Sequence, residues 1–178
     1  MSIRKLTLSA MFVALITIGA FIRIPVGSNV FTLQLLFTLL AGLILGARLG
    51  AFTVSVYVFA GLIGLPVFAS GGGLSYFLQP TFGYLPAFIL QAAFCGFFIR
   101  RLKPSFKNIF IVNLIGLLIV YVMGTSWFYL ATNFLLNTDL PIATAIFYCV
   151  VVQVPADVFI CAVAAFCFKK FNETLMKF

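Results

Sequence analysis

The segment FTLQLLFTLLAGLILGARLGAFTVSVYVFAGLIGLPVF, residues 31–68, carries a single charged residue, Arg48, between two long apolar runs. Apolar runs of this length are typical of helices in a membrane, where the backbone polar groups must be satisfied within the segment itself. The segment therefore predicts two membrane helices, Phe31–Gly46 and Gly50–Phe68, joined by a short turn around Arg48.

The same pattern extends over the whole chain of 178 residues. Hydrophobic residues make up 64% and charged residues 8%, far below the roughly 25% charge of a soluble domain. The apolar stretches predict an all-α integral membrane protein with about six transmembrane helices, in one domain over residues 1–178. We expect the long last helix to tilt, to kink at Pro155 or to extend beyond the lipid. The six predicted helices are Leu6–Pro25, Phe31–Gly46, Gly50–Phe68, Phe82–Ile99, Ile109–Thr132 and Pro141–Phe168.

The distribution of positive charge predicts the orientation of these helices. The formal net charge is +8, and Lys and Arg accumulate on the cytoplasmic side of membrane proteins. With six helices, ten of the eleven basic residues fall on the side of the two termini, and Arg23 falls on the other. The N- and C-termini are therefore expected in the cytoplasm, with the chain as a multi-pass protein of the plasma membrane. The ten residues are Arg4, Lys5, Arg48, Arg100, Arg101, Lys103, Lys107, Lys169, Lys170 and Lys177.

Several kinds of chemistry are disfavoured by what the sequence lacks. It has no His, which removes His-based metal sites and triads. Four cysteines, Cys95, Cys149, Cys161 and Cys167, lie in predicted helices without CxxC spacing, so we interpret them as buried apolar residues, with a disulfide or a metal site as the alternative. No catalytic residue, metal or cofactor is expected. No GxxxxGK[ST] phosphate loop occurs either, so ATP hydrolysis would require another chain.

Asp157 is the clearest candidate for a ligand contact. It lies in QVPADVFICAVAA, well inside the sixth predicted helix, where a carboxylate costs at least about 2.5–3.5 kcal/mol. Gln153 lies one turn earlier on the same face. Asp157 could instead be protonated, or bonded to a neighbouring helix. Arg23, the outward basic residue, would meet an anionic ligand or would anchor the helix end at the membrane surface.

The uncharged loop GLPVFASGGGLSYFLQPTFGYLP, residues 64–86, is the second candidate region. Its glycines Gly71, Gly72 and Gly73 could form a backbone nest for an anion, or a flexible turn. Tyr76 and Gln79 follow on the same outer side, and aromatic walls with a few polar groups are typical of small-molecule pockets. An aromatic belt at the membrane surface would have the same composition.

Two alanines in the first helix are candidates for docking a partner protein. Ala10 and Ala14 are four residues apart in SAMFVALITIGA, a spacing that lets helices approach closely. Packing within the chain would use the same pattern.

Four motifs together give the sequence a close resemblance to the BioY family. They are Thr32-Leu33-Gln34, Gly46-x-x-x-Gly50, Gly64-Leu65-Pro66-Val67-Phe68 and Pro80-Thr81-x-Gly83-Tyr84-Leu85. The resemblance covers most of the chain and is densest from Thr32 to Phe88. BioY proteins are the substrate-binding S components of energy-coupling factor (ECF) transporters for biotin.

The resemblance implies a fold, a function and partners. It implies six membrane helices, a biotin site on the outer face that includes Tyr84 and the loop before it, and no enzymatic activity. It also implies a transmembrane coupling subunit, docked at Ala10 and Ala14, and two cytoplasmic ATPases.

Two positions depart from the family pattern. Phe82 replaces a usual Gly, and Ile160 and Cys161 stand where a Lys usually follows the Asp. An ionised Asp157 could accept from the ureido N–H groups of biotin, which favours biotin. Loss of the Lys leaves room for a related carboxylate vitamin such as lipoate.

An autonomous secondary transporter is the alternative from another functional class, and a membrane enzyme is disfavoured.

Overall fold

The structure is a computed structural model that describes residues 2–26 and 29–175, and it is mainly helical. Between the helices lie a short antiparallel hairpin, with Arg23 opposite Thr32, and a long loop with two 3-10 helices, Leu74–Leu78 and Pro80–Gly83. The helices are α1 (Ile3–Phe21), α2 (Gln34–Leu45), α3 (Ala47–Leu62), α4 (Tyr84–Ile99), α5 (Phe106–Leu130), α6 (Ile142–Ile146) and α7 (Val154–Leu175), and the strands are β1 (Arg23–Val26) and β2 (Asn29–Thr32).

The prediction of an all-α fold with about six apolar helical segments is confirmed. Four described segments are long and apolar enough to cross a membrane: Ile3–Phe21, Pro80–Ile99, Phe106–Leu135 and Ile142–Thr174. Two shorter apolar helices, α2 and α3, complete the six. The last of the long segments combines α6, a π-helical turn (Phe147–Val151) and α7.

The predicted first helix extends too far at its C-terminal end. It was expected to reach Pro25, but α1 ends at Phe21 and the chain turns into β1. Proline lacks the N–H group that a helix needs and disfavours the helical region for the residue before it. A hydrogen bond of 3.3 Å from Leu33 N to Ile22 O joins the residue before α2 to the residue after α1.

The helix α2 is short and enclosed by its neighbours. Its twelve residues span about 18 Å, less than the roughly 30 Å of a bilayer core. None of them is exposed, because α1, α3, α4 and α7 surround it. Its N-terminal residue, Gln34, is buried as well.

Glycines allow α2, α3 and α4 to touch through their backbones. A Cβ atom on Gly42 would lie 2.8 Å from Ala92 Cα of α4. A Cβ atom on Gly96 of α4 would meet backbone atoms of Gly42, Gly46 and Ala47. Gly46 joins α2 to α3 with a φ of 84°, a conformation that favours glycine. These contacts fix the three helices at the centre of the bundle.

The sixth segment is irregular just before Pro155, where a kink was predicted. The π-helical turn Phe147–Val151 precedes α7, and Pro155 lies in the first turn of α7. A proline ring clashes with the carbonyl four residues earlier, so a regular α-helix cannot continue through it. The wider π-helical turn interrupts the α-helix before the proline ring. Gln153 lies directly before α7, and Asp157 lies in its first turn.

Candidate functional site

A cavity lies between the hairpin, the loop that follows α3 and the helices α2, α4, α5 and α7. It holds about 610 Å³ of space not occupied by protein atoms, including its open mouth. Its lining combines apolar and polar side chains: Thr32, Gln34, Leu35, Ala69, Tyr76, Thr81, Tyr84, Leu85, Phe88, Leu117, Val120, Tyr121, Gln153 and Asp157.

Asp157 provides the charged group of this lining. Its side chain is 5% exposed, and its Oδ2 accepts a hydrogen bond of 2.6 Å from the hydroxyl of Tyr121 on α5. This bond fixes the orientation of the carboxyl group. The lining residues include no Lys or Arg, so the carboxyl group has no basic partner inside the cavity. Tyr121 was not among the predicted site residues: it is recognisable as a polar group in an apolar helix, but the sequence does not pair it with Asp157.

Two glutamines line the cavity together with Asp157. Gln153 is buried, as predicted on the face of Asp157, and its Nε2 donates to Tyr148 O at 3.4 Å. Gln34, which was part of a quoted motif but not a proposed contact, donates from Nε2 to the Tyr57 hydroxyl at 3.1 Å. That hydroxyl in turn donates to Val67 O at 3.0 Å. The polar floor of the cavity is thereby connected to the loop above it.

The loop after α3 forms one wall of the cavity through Tyr76. The ring of Tyr76 packs on Phe68 with centroids 4.5 Å apart, and its hydroxyl lies 3.3 Å from Thr81 Oγ1. Burial raises the pKa of the Tyr76 hydroxyl, so the group stays protonated and available as a donor or acceptor. Tyr84, at the start of α4, lines the cavity beside it. Both tyrosines were proposed as ligand contacts from the sequence.

The glycines of the loop are not among the residues that line the cavity. Gly71 N donates to Phe68 O at 3.2 Å, and Gly73 N donates to Gly61 O at 2.7 Å. Both have positive φ angles, 112° and 102°, and a Cβ atom on Gly72 would collide with the carbonyl of Leu65. The three glycines therefore shape the loop, and their contact with a ligand stays a prediction.

Arg23 and Gln79 also lie outside the lining. The exposed Arg23 donates from Nη1 to the carbonyl of Ala69, a residue that does line the cavity, so Arg23 ties β1 to the loop at the mouth. Gln79 is exposed, and its backbone carbonyl accepts from Trp127 Nε1 at 3.1 Å. Their proposed contacts with a ligand stay predictions.

An aromatic cluster fastens the loop to α5. The ring of Phe82 lies 4.4 Å from that of Phe77 and 5.5 Å from that of Trp127, measured between centroids. Gly83 allows this contact, because a Cβ atom there would collide with Trp127. Phe82 therefore serves to hold the loop rather than to line the cavity.

No disulfide bond joins the four cysteines, and within residues 2–26 and 29–175 no cluster of three potential metal ligands occurs. Cys95, Cys149 and Cys161 are buried as expected, but the expectation is wrong for Cys167, which is exposed. An apolar residue facing lipid has no need of burial by protein.

The arrangement can bind a small molecule that has both an apolar body and hydrogen-bonding groups. Asp157 and the two glutamines offer acceptors and donors at the floor. Tyr76, Tyr84 and Phe88 offer aromatic surface along the walls. A molecule with N–H donors would be recognised at Asp157 through charge-assisted hydrogen bonds.

Comparisons with known proteins agree on one family. The model of the BioY family matches residues 1–177. A probable biotin transporter BioY of Lysinibacillus sphaericus is 48% identical over 134 residues, which are 75% of this chain and 68% of that protein. The biotin transporter BioY of Thermotoga maritima is 42% identical over 122 residues, 68% of this chain and 72% of that protein.

A solved structure supports the same grouping. It is the S-component for biotin from an ECF-type ABC transporter, and it superimposes with a TM-score of 0.85 at 28% identity. The match covers 96% of this chain and 92% of the other. The similarity therefore extends over the whole helical arrangement, including the elements that form the cavity.

Proposed function

This chain belongs to the BioY family, and from that premise we propose that it is the substrate-binding S component of an ATP-driven ECF importer of biotin. It binds biotin in the cavity at the outer face of the plasma membrane. It has no catalytic residue of its own, and ATP hydrolysis takes place on two cytoplasmic ATPases joined through a transmembrane coupling subunit.

The observation that carries this proposal is the buried carboxyl group of Asp157, held by Tyr121 in an otherwise uncharged cavity. Biotin has two ureido N–H donors, one carbonyl and an apolar bicyclic body. Its N–H groups match the carboxylate, and its rings match the aromatic walls. The carboxylate tail would extend toward the mouth, where Arg23 lies.

A calorimetric titration of the purified chain with biotin tests the proposal. Lipoate is the informative comparison, because it shares the carboxylate tail but lacks the ureido donors. We expect biotin to bind much more tightly than lipoate. Equal binding of the two would assign recognition to the tail and would favour a related carboxylate vitamin as the substrate.

An autonomous secondary transporter is the second candidate. Such transporters depend on ionisable groups within the membrane, and the cavity offers Asp157 alone among its lining residues. Biotin uptake that needs neither coupling subunit nor ATPase would support this alternative. Co-purification of the chain with ATPase subunits would support the importer.

The proposed orientation places both termini in the cytoplasm and the loop Ala69–Gln79 outside. Lys5, Arg48, Arg100 and Arg101 lie together around one cleft, while Arg23 lies at the opposite end beside the cavity. A cysteine at the exposed Ser75 is expected to react with an impermeant maleimide in intact cells. Reaction after membrane disruption alone would place the loop in the cytoplasm.

The exposed face of α1 is the proposed docking surface for the coupling subunit. Ala10 and Ala14 are both exposed, whereas Phe12 and Ile16 face the interior. We expect Ala10→Trp together with Ala14→Trp to abolish uptake and leave biotin binding to the isolated chain unchanged, because the rings would hold the partner helix away.

The matched control for docking is Ile111→Trp with Ile115→Trp. These α5 residues are also four apart, and each is 44% exposed. Uptake and assembly should stay normal in this pair. The docking role is wrong if the α1 double variant still assembles with the coupling subunit.

A further inference from the structure

A second concave site lies at the end of the molecule opposite the cavity. It is formed by the N-terminal end of α1, the α2–α3 turn and the C-terminal end of α4, and we call it the basic cleft. It holds about 1280 Å³ including its open side. Four cationic residues, Lys5, Arg48, Arg100 and Arg101, share it with apolar side chains that include Phe52 and Phe97.

The positive charge of the basic cleft is not neutralised within the described chain. The sequence has three acidic residues. Glu173 pairs with Lys169 at 3.7 Å, Asp157 lies in the cavity, and Asp139 lies in the connection between α5 and α6. Over residues 2–26 and 29–175, Lys169–Glu173 is the single ion pair. All four cations are exposed, so they are available to an anion from outside the chain.

Two of the cations are held in place by the protein. Arg100 donates from Nη2 to Leu45 O at 3.2 Å, and its guanidinium lies against Gly46, where any side chain would collide with it. Arg101 lies over the ring of Phe97, 4.0 Å from the centroid. A guanidinium has five N–H donors in a fixed plane, so Arg100 keeps donors for a phosphate oxygen beyond the one that it uses.

The wall of the basic cleft continues along the membrane. Phe52 is 53% exposed, and Val56 and Phe59, further along the same face of α3, are 40% and 66% exposed. This stripe leads from the cations toward the apolar middle of the helix. A molecule with an anionic head and a long apolar chain would contact both parts.

We propose that the basic cleft binds the phosphate of an anionic phospholipid, with an acyl chain along Phe52, Val56 and Phe59. Cations at a membrane surface attract anionic lipids in general. The basic cleft adds converging cations, a guanidinium fixed by Leu45 and Gly46, and an apolar groove. The site is separate from the biotin cavity and does not depend on it.

The test compares melting temperatures of the purified chain in nanodiscs of phosphatidylcholine alone and in nanodiscs that also contain phosphatidylglycerol. We expect phosphatidylglycerol to raise the melting temperature by about 2–4 °C or more, because ligand binding to the folded state stabilises it. Arg48→Gln with Arg101→Gln should lose most of this rise. Native mass spectrometry should show the matching loss of a bound phosphatidylglycerol.

Lys103→Gln with Lys107→Gln is the control, since it removes the same charge at the same end without touching the basic cleft. It should keep the rise. If both double variants lose the rise in melting temperature equally, the lipid is attracted by the overall positive charge of this end, and the proposed site is wrong. The same rise with inorganic phosphate in phosphatidylcholine nanodiscs would assign the cleft to a soluble anion and overturn the lipid.

A protein partner gives a different result. If phosphatidylglycerol has no effect on the parent chain, but Arg48→Gln with Arg101→Gln abolishes assembly with the coupling subunit, the basic cleft holds acidic residues of that partner. That outcome also overturns the lipid proposal.

Discussion

Asp157→Ala is expected to weaken biotin binding by about 10- to 150-fold. The value follows from about 1.5–3 kcal/mol for a hydrogen bond to a charged group, converted to affinity. The variant removes the single carboxylate among the lining residues of the cavity. It also leaves the buried Tyr121 hydroxyl without its acceptor, so we expect no gain in stability from removing the charge. Calorimetry and melts with and without biotin measure both effects.

Two further variants separate recognition from structure. Asp139→Ala removes an exposed acid outside the cavity and should leave biotin binding unchanged. Tyr121→Phe keeps the carboxylate and removes the bond that orients it, so its loss of affinity should be smaller than that of Asp157→Ala. Unchanged affinity in Asp157→Ala, with a lower melting temperature, would make Asp157 a structural residue.

Gly42→Ala is expected to destabilise the fold by about 3 kcal/mol or more, the upper range for overpacking a core. The added methyl group would press on backbone atoms of Ala92, which cannot move aside as a flexible side chain can. Gly96→Ala should behave alike, because its neighbours are backbone atoms of the α2–α3 turn. Melting temperature and monodisperse yield after purification are the measurements.

Ala143→Val is the control for added volume, because Ala143 is exposed on α6. It should purify and melt like the parent chain. A Gly42→Ala variant as stable as Ala143→Val would show that α2 and α4 can separate without cost, and the central contact would then not define the fold.

The apolar segments were predictable from sequence because hydrophobicity over about 20 residues is a local property. The helix ends were less so. Strand β1 forms by pairing with β2, a contact that the sequence around Pro25 does not reveal. The π-helical turn at Phe147–Val151 was not predicted either, because it depends on how the chain adjusts before Pro155.

The residues of the candidate site also fall into a group that could be predicted from the sequence and a group that could not. Asp157, Gln153 and Tyr76 were identifiable as polar or aromatic residues in apolar surroundings, Tyr84 was implied by the family resemblance, and all four line the cavity. The partner of Asp157 was not identifiable, because Tyr121 is 36 positions away in the chain. The N–H groups of Gly71 and Gly73 donate to a loop carbonyl and to a carbonyl of α3, which depends on how the loop folds back and not on composition.

The enclosure of α2 has a consequence for how this chain tolerates genetic change. Every side chain of α2 contacts protein, because none is exposed, whereas α1 and α5 each present a row of residues to the surroundings. A substitution in α2 therefore alters packing at any position, while an apolar exchange on the outer rows alters little. In a saturation mutagenesis screen, we expect the tolerance of a position to substitution to depend on how far its helix is enclosed by other helices. The distance of the residue from the ligand should matter less.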